Sequence, residues 1–258
     1  AGAGVAWIGF LDDHGHIPAR WRLAGHFLAA AWVLFWIGGL PPLAVFAIPI
    51  DPGWLGQAIA AVYLVWLLNL YNFMDGIDGI AGIEAVCVGL GGALLCGLAG
   101  QAELAFAAAL LAAAAAGFLL WNFPPAKIFM GDAGSGFLGI VLGALSVMAA
   151  HADGALLWSW MILLGVFIVD ATITLVRRIL RGETFYEAHR SHAYQHAARA
   201  LGAHRPVSLA VGAINLFWLL PIALLVGTGK IDGVAGAVVA YVPLAGLALR
   251  YRAGAPDR

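Results

Sequence analysis

Carboxylates recur in this sequence at the ends of apolar runs, paired with each other or set beside glycine. Asp12 and Asp13 are adjacent in Gly9-Phe-Leu-Asp-Asp-His-Gly-His16, where the first apolar run closes. Asp75 and Asp78 each precede a glycine in Asn72-Phe-Met-Asp-Gly-Ile-Asp-Gly-Ile-Ala-Gly82. Asp132 lies among glycines in Pro125-Ala-Lys-Ile-Phe-Met-Gly-Asp-Ala-Gly-Ser-Gly136. Carboxylates forced together at a low-dielectric boundary repel, so they favour a divalent cation or a raised pKa. Glycine lets the backbone turn there or approach a ligand closely. If their segment is helical, Asp75 and Asp78 share a face. A solvated helix end accounts for an isolated Asp-Asp pair, and a plain turn for one Asp-Gly step. Two such steps followed by Ala81-Gly82 are more than a connection needs.

Around Asp132 a structural Gly-rich loop explains the glycines but not the company they keep. Lys127 can meet a phosphate, Asp132 can hold a hard cation, and the Phe129 ring can stack on a base. The longest basic stretch, Arg177 to Arg205, carries Glu183, Glu187, His189, Arg190, His192, Tyr194, Gln195 and His196. Contact with anionic lipid accounts for most of its arginines. Three histidines with an arginine also suit phosphate oxygens. Zinc is the rival for the histidines, but no cysteine or His-Glu-x-x-His spacing accompanies them. Asp170, inside an apolar run, is a functional candidate by its depth or an ion-pair partner of Arg177 or Arg178, and stays outside the catalytic set.

What must position these groups is a membrane. The sequence is 63% hydrophobic and 10% charged, with a mean hydropathy of +0.92, far from the composition of a soluble domain. After a partial run at Ala1 to Leu11, eight apolar segments follow, near 23–40, 54–71, 83–99, 103–120, 136–150, 155–176, 207–226 and 233–249. Most approach the roughly 20 residues of a spanning helix; 136–150 is short. The Pro-rich interval 41–53 reads as an outer loop. No internal repeat stands out, and Ala112 to Ala116 suits a tightly packed helix. Cys87 and Cys96, about 13 Å apart along one helix, cannot pair. The fold class expected is all-α, a polytopic helical bundle forming one domain over 1–258, and the opening run reads as the end of a span begun upstream.

If the segments alternate, one side receives Arg20, Arg22, Lys127, Arg177, Arg178, Arg181, Arg190, Arg199, Arg205, Arg250, Arg252 and Arg258, leaving Lys230 for the other. That asymmetry makes the first side cytoplasmic. Asp12, Asp13, Asp75, Asp78 and Asp132 fall on it too, so acids from separate loops can converge. An ion-coupled transporter would set its carboxylates near the midplane, facing a conduit; here they gather at one interface.

The three acidic motifs together resemble the polyprenyl-phosphate N-acetylhexosamine-1-phosphate transferases, a family that includes the phospho-MurNAc-pentapeptide translocase and the enzymes that initiate O-antigen. The resemblance runs over essentially the whole chain. Family members have ten or eleven transmembrane helices, so it implies that about two precede this sequence. It implies transfer of a sugar 1-phosphate from a UDP-N-acetylhexosamine to undecaprenyl phosphate in the bacterial inner membrane, with release of UMP, dependence on Mg²⁺ (or Mn²⁺), no nucleic-acid partner and compatibility with a homodimer. Carried over, Asp132 is the metal ligand. Asp12 deprotonates the lipid phosphate or acts as nucleophile, beside Asp13, and His192 is the histidine of the last cytoplasmic loop. Asn72 and Asp75 line the nucleotide-sugar site, and Asp78 and Phe129 hold the uracil. By their own chemistry and placement Gly131, Lys127, His189 and Arg190 are further substrate-binding candidates. The family's usual His-x-His-His is replaced here by His189-Arg-Ser-His192-Ala-Tyr194-Gln195, which looks most like the O-antigen branch and favours UDP-linked FucNAc or QuiNAc. A CDP-alcohol phosphatidyltransferase also has Asp-Gly motifs, but its Asp-Gly-x-x-Ala-Arg is absent here.

Overall fold

The computed structural model describes residues 1–15, 17–46, 48–183 and 190–256. Helices account for nearly all of its regular structure. They are α1 (Gly2–Gly15), α2 (Ala19–Ile37), α3 (Gly53–Met74), α4 (Ile80–Leu98), α5 (Ala102–Asn122), α6 (Gly131–Ala152), α7 (Gly154–Leu163), α8 (Gly165–Leu180), α9 (Ala193–Leu201), α10 (Arg205–Ile214), α11 (Leu220–Gly227) and α12 (Gly233–Arg250). A π turn at Asn215–Leu219 joins α10 to α11. The 22 residues of α3 rise about 33 Å, enough to cross a hydrocarbon core with every backbone group bonded inside the helix.

Among the described residues six helices are long and apolar enough to span, α3 to α6, Arg205–Gly227 and α12, and α7 with α8 makes a seventh if that bent pair is one span. This is a multi-pass membrane protein. Eight segments were expected, and the difference lies in two of them. The segment 23–40 is α2, a 19-residue helix whose Arg20, Arg22 and His26 dilute its apolar character. The segment 155–176 is not one rod: it bends by 72° at Leu164-Gly165. An added Cβ on Gly165 would stand 3.0 Å from the Tyr241 ring, so the break lies where α12 packs close. The interval 41–53 is not merely a loop, since Leu43–Val45 (β1) pairs antiparallel with Ile48–Ile50 (β2). Segment 136–150 gains a turn at its start, because α6 begins at Gly131.

Trp160, Tyr71 and Phe167 are the largest fully buried side chains, and the Tyr71 and Phe167 rings lie 5.0 Å apart where α3 meets α8. Small residues let neighbouring backbones approach, as in other membrane bundles. A Cβ on Gly139 would stand 2.6 Å from Leu68 Cα, which measures how closely α6 lies against α3. Outward, Phe35, Trp36, Trp54 and Leu120 are exposed, as lipid-facing residues are. The hairpin sits at one end of the bundle beside Trp158, whose Nε1 donates to the Ala44 carbonyl at 3.2 Å. The carboxylates of the three motifs, at the end of α1, after α3 and at the start of α6, occupy the other end.

Candidate active site

One helix end and one helix start bring the first acids together. Asp12 and Asp13 occupy the last turn of α1, and Asp132 the first turn of α6. The α1 backbone reaches α6 at Gly9, where an added Cβ would stand 2.5 Å from the Asp132 carbonyl carbon. Asp13 therefore faces the open N-terminus of α6. Its Oδ1 accepts the Asp132 N–H at 3.1 Å and its Oδ2 the Ala133 N–H at 3.4 Å. Met130, the residue ahead of α6, supplies no side-chain cap of its own, so a carboxylate from α1 fills that role and meets the positive end of the helix dipole.

Asp12 turns the other way. Its Oδ1 accepts the Ile17 N–H at 2.5 Å, and its Oδ2 pairs with Arg22, in the first turn of α2. The same Arg22 nitrogen reaches Asp132 Oδ2 at 3.3 Å. Asp132 Oδ1 accepts from Asn72 Nδ2 at 2.7 Å, and that amide also donates to Ser135 Oγ at 3.1 Å. Two carboxylates from different helices thus meet on one guanidinium, with a side-chain amide alongside. The carboxylate oxygens are hard donors of the kind that could hold a divalent cation, and Arg22 is the cation that pairs with them here. Among the described residues no three of His, Cys, Asp and Glu group as a metal cage would require.

Between α3 and α4 the chain is not helical, so Asp75 and Asp78 do not share a helix face. Helix α3 ends at Met74, and Asp75 follows with φ −88° and ψ 56°. Asp75 lies in a polar cavity of about 270 Å³ together with Asn72, Asp78, Phe129, Gly131 and Asp132. Burial first, and the nearby charge of Asp132 second, push its carboxyl up to about 7. Asp78 is bound into the architecture. Its Oδ2 accepts the Ala126 N–H at 3.0 Å, its Oδ1 lies 3.3 Å from His204 Nδ1, and its carbonyl accepts from Ser208 Oγ at 2.7 Å. Asn122 completes the clip, accepting the Gly79 N–H at 2.9 Å and donating to the Ile128 carbonyl at 2.8 Å. These bonds fix the 123–130 loop over the cavity, with the Phe129 ring exposed at its edge.

Lys127 does not line that cavity; its ammonium lies 5.3 Å from the centre of the Trp121 ring, a cation–π placement. Arg190 is exposed, and its carbonyl accepts from Arg199 Nη2 at 2.9 Å. His189 lies outside the described residues. His192 is buried at the start of α9, 6.3 Å ring to ring from Phe73. Among the described residues Asp170 binds neither Arg177 nor Arg178; it accepts the Ala193 and Tyr194 N–H groups at 2.9 and 3.0 Å. Arg178 instead pairs with Glu183 at 2.8 Å, and with Arg181 holds that carboxyl below its ordinary value.

The residue that sequence reading passed over is Arg22. It counted there only as one of the positive charges of a loop, although its place in the first turn of α2, directly after the Asp12-Asp13 turn, could have suggested a partner for them. It also lines a second cavity, an apolar groove of about 760 Å³ running along Leu23, Phe27, Val62, Trp66 and Leu175, between α2, α3 and α8.

A multi-pass helical membrane protein with a carboxylate-lined polar cavity and an apolar groove, linked by the Arg22–Asp132 ion pair, is the class these observations define. The sequence model of glycosyl transferase family 4 matches residues 1–150, and the chain belongs to that family. It is similar to the probable undecaprenyl-phosphate N-acetylglucosaminyl 1-phosphate transferase of Bacillus subtilis (strain 168), 32% identical over 212 residues, covering 79% of this chain and 58% of the relative. The phospho-N-acetylmuramoyl-pentapeptide-transferase of Moorella thermoacetica is 37% identical over 162 residues, 56% of this chain and 50% of the relative. The decaprenyl-phosphate N-acetylglucosaminephosphotransferase of Mycobacterium leprae is 30% identical over 237 residues, 82% of this chain and 59% of the relative. The chain spans between half and three fifths of the length of these relatives.

Proposed function

We propose that the protein transfers an N-acetylated sugar 1-phosphate from a UDP-sugar to a polyprenyl phosphate, releasing UMP, with its acids at the cytoplasmic face of a bacterial inner membrane. The observation that carries this reading is the junction at Arg22. Arg22 lines the apolar groove and bonds to Asp132, and Asp132 lines the polar cavity. A lipid tail in the groove and a nucleotide sugar in the cavity would bring their phosphates to the same place. A transporter reading offers no reason for two unlike cavities to be linked by one ion pair. The clustering of Lys and Arg at the acid-bearing end supports the orientation.

Asp132 is the residue that would hold Mg²⁺. Bound there, the ion would screen the charge of two phosphate-bearing substrates and of the developing transition state. The chain's own residues do the rest. Arg22 can turn from Asp12 to the acceptor phosphate, which frees Asp12 Oδ2 to take the acceptor's proton. An acceptor phosphate oxygen then attacks the sugar-bearing phosphorus in line. The bond from that phosphorus to the bridging oxygen of UDP breaks, UMP departs, and the sugar remains on a lipid diphosphate. Asn72 orients Asp132, and the Phe129 edge suits a uracil ring.

The relatives from B. subtilis and M. leprae are named for N-acetylglucosamine, which supports an N-acetylhexosamine donor. The His189-to-Gln195 sequence supports a deoxysugar of the O-antigen type within that class. A pentapeptide-bearing donor is the second reading, favoured by the similarity to the M. thermoacetica enzyme. The deciding experiment gives full-length protein in detergent undecaprenyl phosphate, Mg²⁺ and a panel of UDP-sugars, and measures UMP. Release with one N-acetylated sugar is expected. No UMP from any donor, together with substrate flux into vesicles, would overturn the proposal in favour of transport.

A further inference from the structure

Asp170 and Tyr194 are tied to the acidic motif without lying in its chemistry. Asp170, on α8, is buried, and it binds the first turn of α9 from below. Its Oδ1 accepts the Ala193 N–H at 2.9 Å and the Thr174 hydroxyl at 3.1 Å, its Oδ2 accepts the Tyr194 N–H at 3.0 Å, and His192 Nδ1 stands 3.4 Å from Oδ1. The other side of this turn is strapped by the segment that follows α12, where the Gly254 N–H donates to the Ser191 carbonyl at 2.6 Å. Arg177 Nη1 holds that strap through the Ala253 carbonyl at 2.7 Å. A turn bound on two sides can serve as a fixed support.

From that support Tyr194 reaches back to α3. Its hydroxyl donates to the Phe73 carbonyl at 2.9 Å, in the final turn before Asp75. Gly76 lies against the same hydroxyl so closely that an added Cβ would run into it, with Gln195 Nε2 only 2.9 Å away. The backbone leaves the helix at this point, so where the Asp75 carboxylate stands follows from how residues 73–76 are held. This contact also accounts for the first glycine of the Asp-Gly pair: α9 leaves no room for a side chain.

We infer that Tyr194 is a positioning residue, anchored by Asp170, that sets the place of Asp75 in the polar cavity relative to Asp132. The inference rests on the proposed transfer reaction for its catalytic consequence, and on geometry alone for the support itself. Displacing a group by about 1 Å in such a site is enough to slow a reaction a hundredfold.

The test uses the full-length protein in detergent and measures two things, amide hydrogen exchange at residues 73–79 and steady-state UMP release. Tyr194→Phe removes only the hydroxyl. It should speed exchange at 73–79 and lower kcat by about tenfold, with KM for the UDP-sugar held within about twofold, since the hydroxyl bonds to backbone. Gly76→Ala should damage the wild type more than it damages Tyr194→Phe, because the clash it makes is with the deleted oxygen; neighbours sharing a contact are non-additive in this way. Asp170→Asn, which keeps an acceptor for one N–H, should fall between wild type and Tyr194→Phe and stands in if the latter does not fold. Wild-type exchange at 73–79 in Tyr194→Phe overturns the inference. So does faster exchange with unchanged kcat, or an equal cost of Gly76→Ala in both backgrounds. If wild-type protein releases no UMP from any donor, the proposed reaction fails, while the exchange data and the paired variants still decide whether Tyr194 holds the segment.

Discussion

Asp13 accepts the backbone N–H of Asp132 at 3.1 Å, so the second residue of the Asp-Asp pair caps the helix on which the proposed metal ligand stands. The pair divides its work. Asp12 faces Arg22 and Asp132 side by side, while Asp13 spends both oxygens on backbone donors of α6.

That division predicts different responses to substitution. Asp13→Asn keeps an oxygen that can accept one of the two N–H groups, and Asp13→Ala keeps none. Loss of an N-cap costs about 1 kcal/mol, and here it would also release Asp132. Asp13→Asn should therefore retain clearly more UMP-releasing activity and a higher Tm than Asp13→Ala. Equal inactivity of both, with equal Tm, would mean that Asp13 acts through its charge on the reacting groups and not through the cap.

Asp132→Asn should remove metal-dependent turnover and leave the fold intact. The Asn72 bond goes to Oδ1, the Arg22 bond to Oδ2, and an amide can preserve one of them. The expected outcome is loss of Mg²⁺-stimulated UMP release by at least about a hundredfold, with Tm lowered by no more than a few degrees. Normal activity at normal Mg²⁺ concentration would remove Asp132 from the metal site.

The raised carboxyl of Asp75 gives a stability signature in protein free of metal and substrate. Its ordinary value is 3.8 and its folded value about 7, so between those limits the folded protein holds a proton that the unfolded chain has released. Stability from this group is present below about pH 4 and is lost as pH rises toward 7. Asp75→Asn removes the charge that is costly to bury. It should raise Tm at pH 8 by about 2 °C or more and leave Tm nearly unchanged at pH 4. A variant no more stable than wild type at pH 8 would show that Asp75 carries no such burden.

How far the sequence led can be judged residue by residue. Hydropathy located the spans because a bilayer demands long apolar helices, and the sidedness of Lys and Arg placed the acids on one face. The family resemblance then put Asn72, Asp75, Asp78, Phe129 and Asp132 at one site, and with Gly131 they line one cavity. What stayed hidden depends on packing between distant segments. Nothing local to Asp78 shows that Ala126 and His204 bind it. Nothing local to Asp170 shows that α9 docks on it. The bend at Leu164 was hidden for the same reason, since continuous apolar sequence continues through it.

Arg22 should separate the two substrates. It lines the groove and bridges Asp12 and Asp132 through one guanidinium nitrogen. Arg22→Gln should raise KM for the polyprenyl phosphate by about tenfold, the worth of one charge-assisted phosphate contact, and change KM for the UDP-sugar by no more than about twofold. The reverse pattern would move the acceptor phosphate away from Arg22 and would remove the observation on which the proposed reaction rests.

Gly9 should be as sensitive as any acid although it carries no chemistry. Its missing side chain lets α1 lie on the start of α6, where an added Cβ would stand 2.5 Å from the Asp132 carbonyl carbon and oxygen and from the Ala133 nitrogen. All three are backbone atoms, so no side chain can rotate away to make room. Gly9→Ala must therefore push the two helices apart, at a cost of about 1–3 kcal/mol for overpacking. The same movement draws Asp13 off its N–H partners and Asp12 away from the Arg22 nitrogen it shares with Asp132. Gly4, on the same helix, has open space around it, so Gly4→Ala is the matched control and should change neither Tm nor UMP release. If Gly9→Ala behaves like Gly4→Ala in thermal unfolding and turnover, the close contact of α1 with α6 does not position the acids.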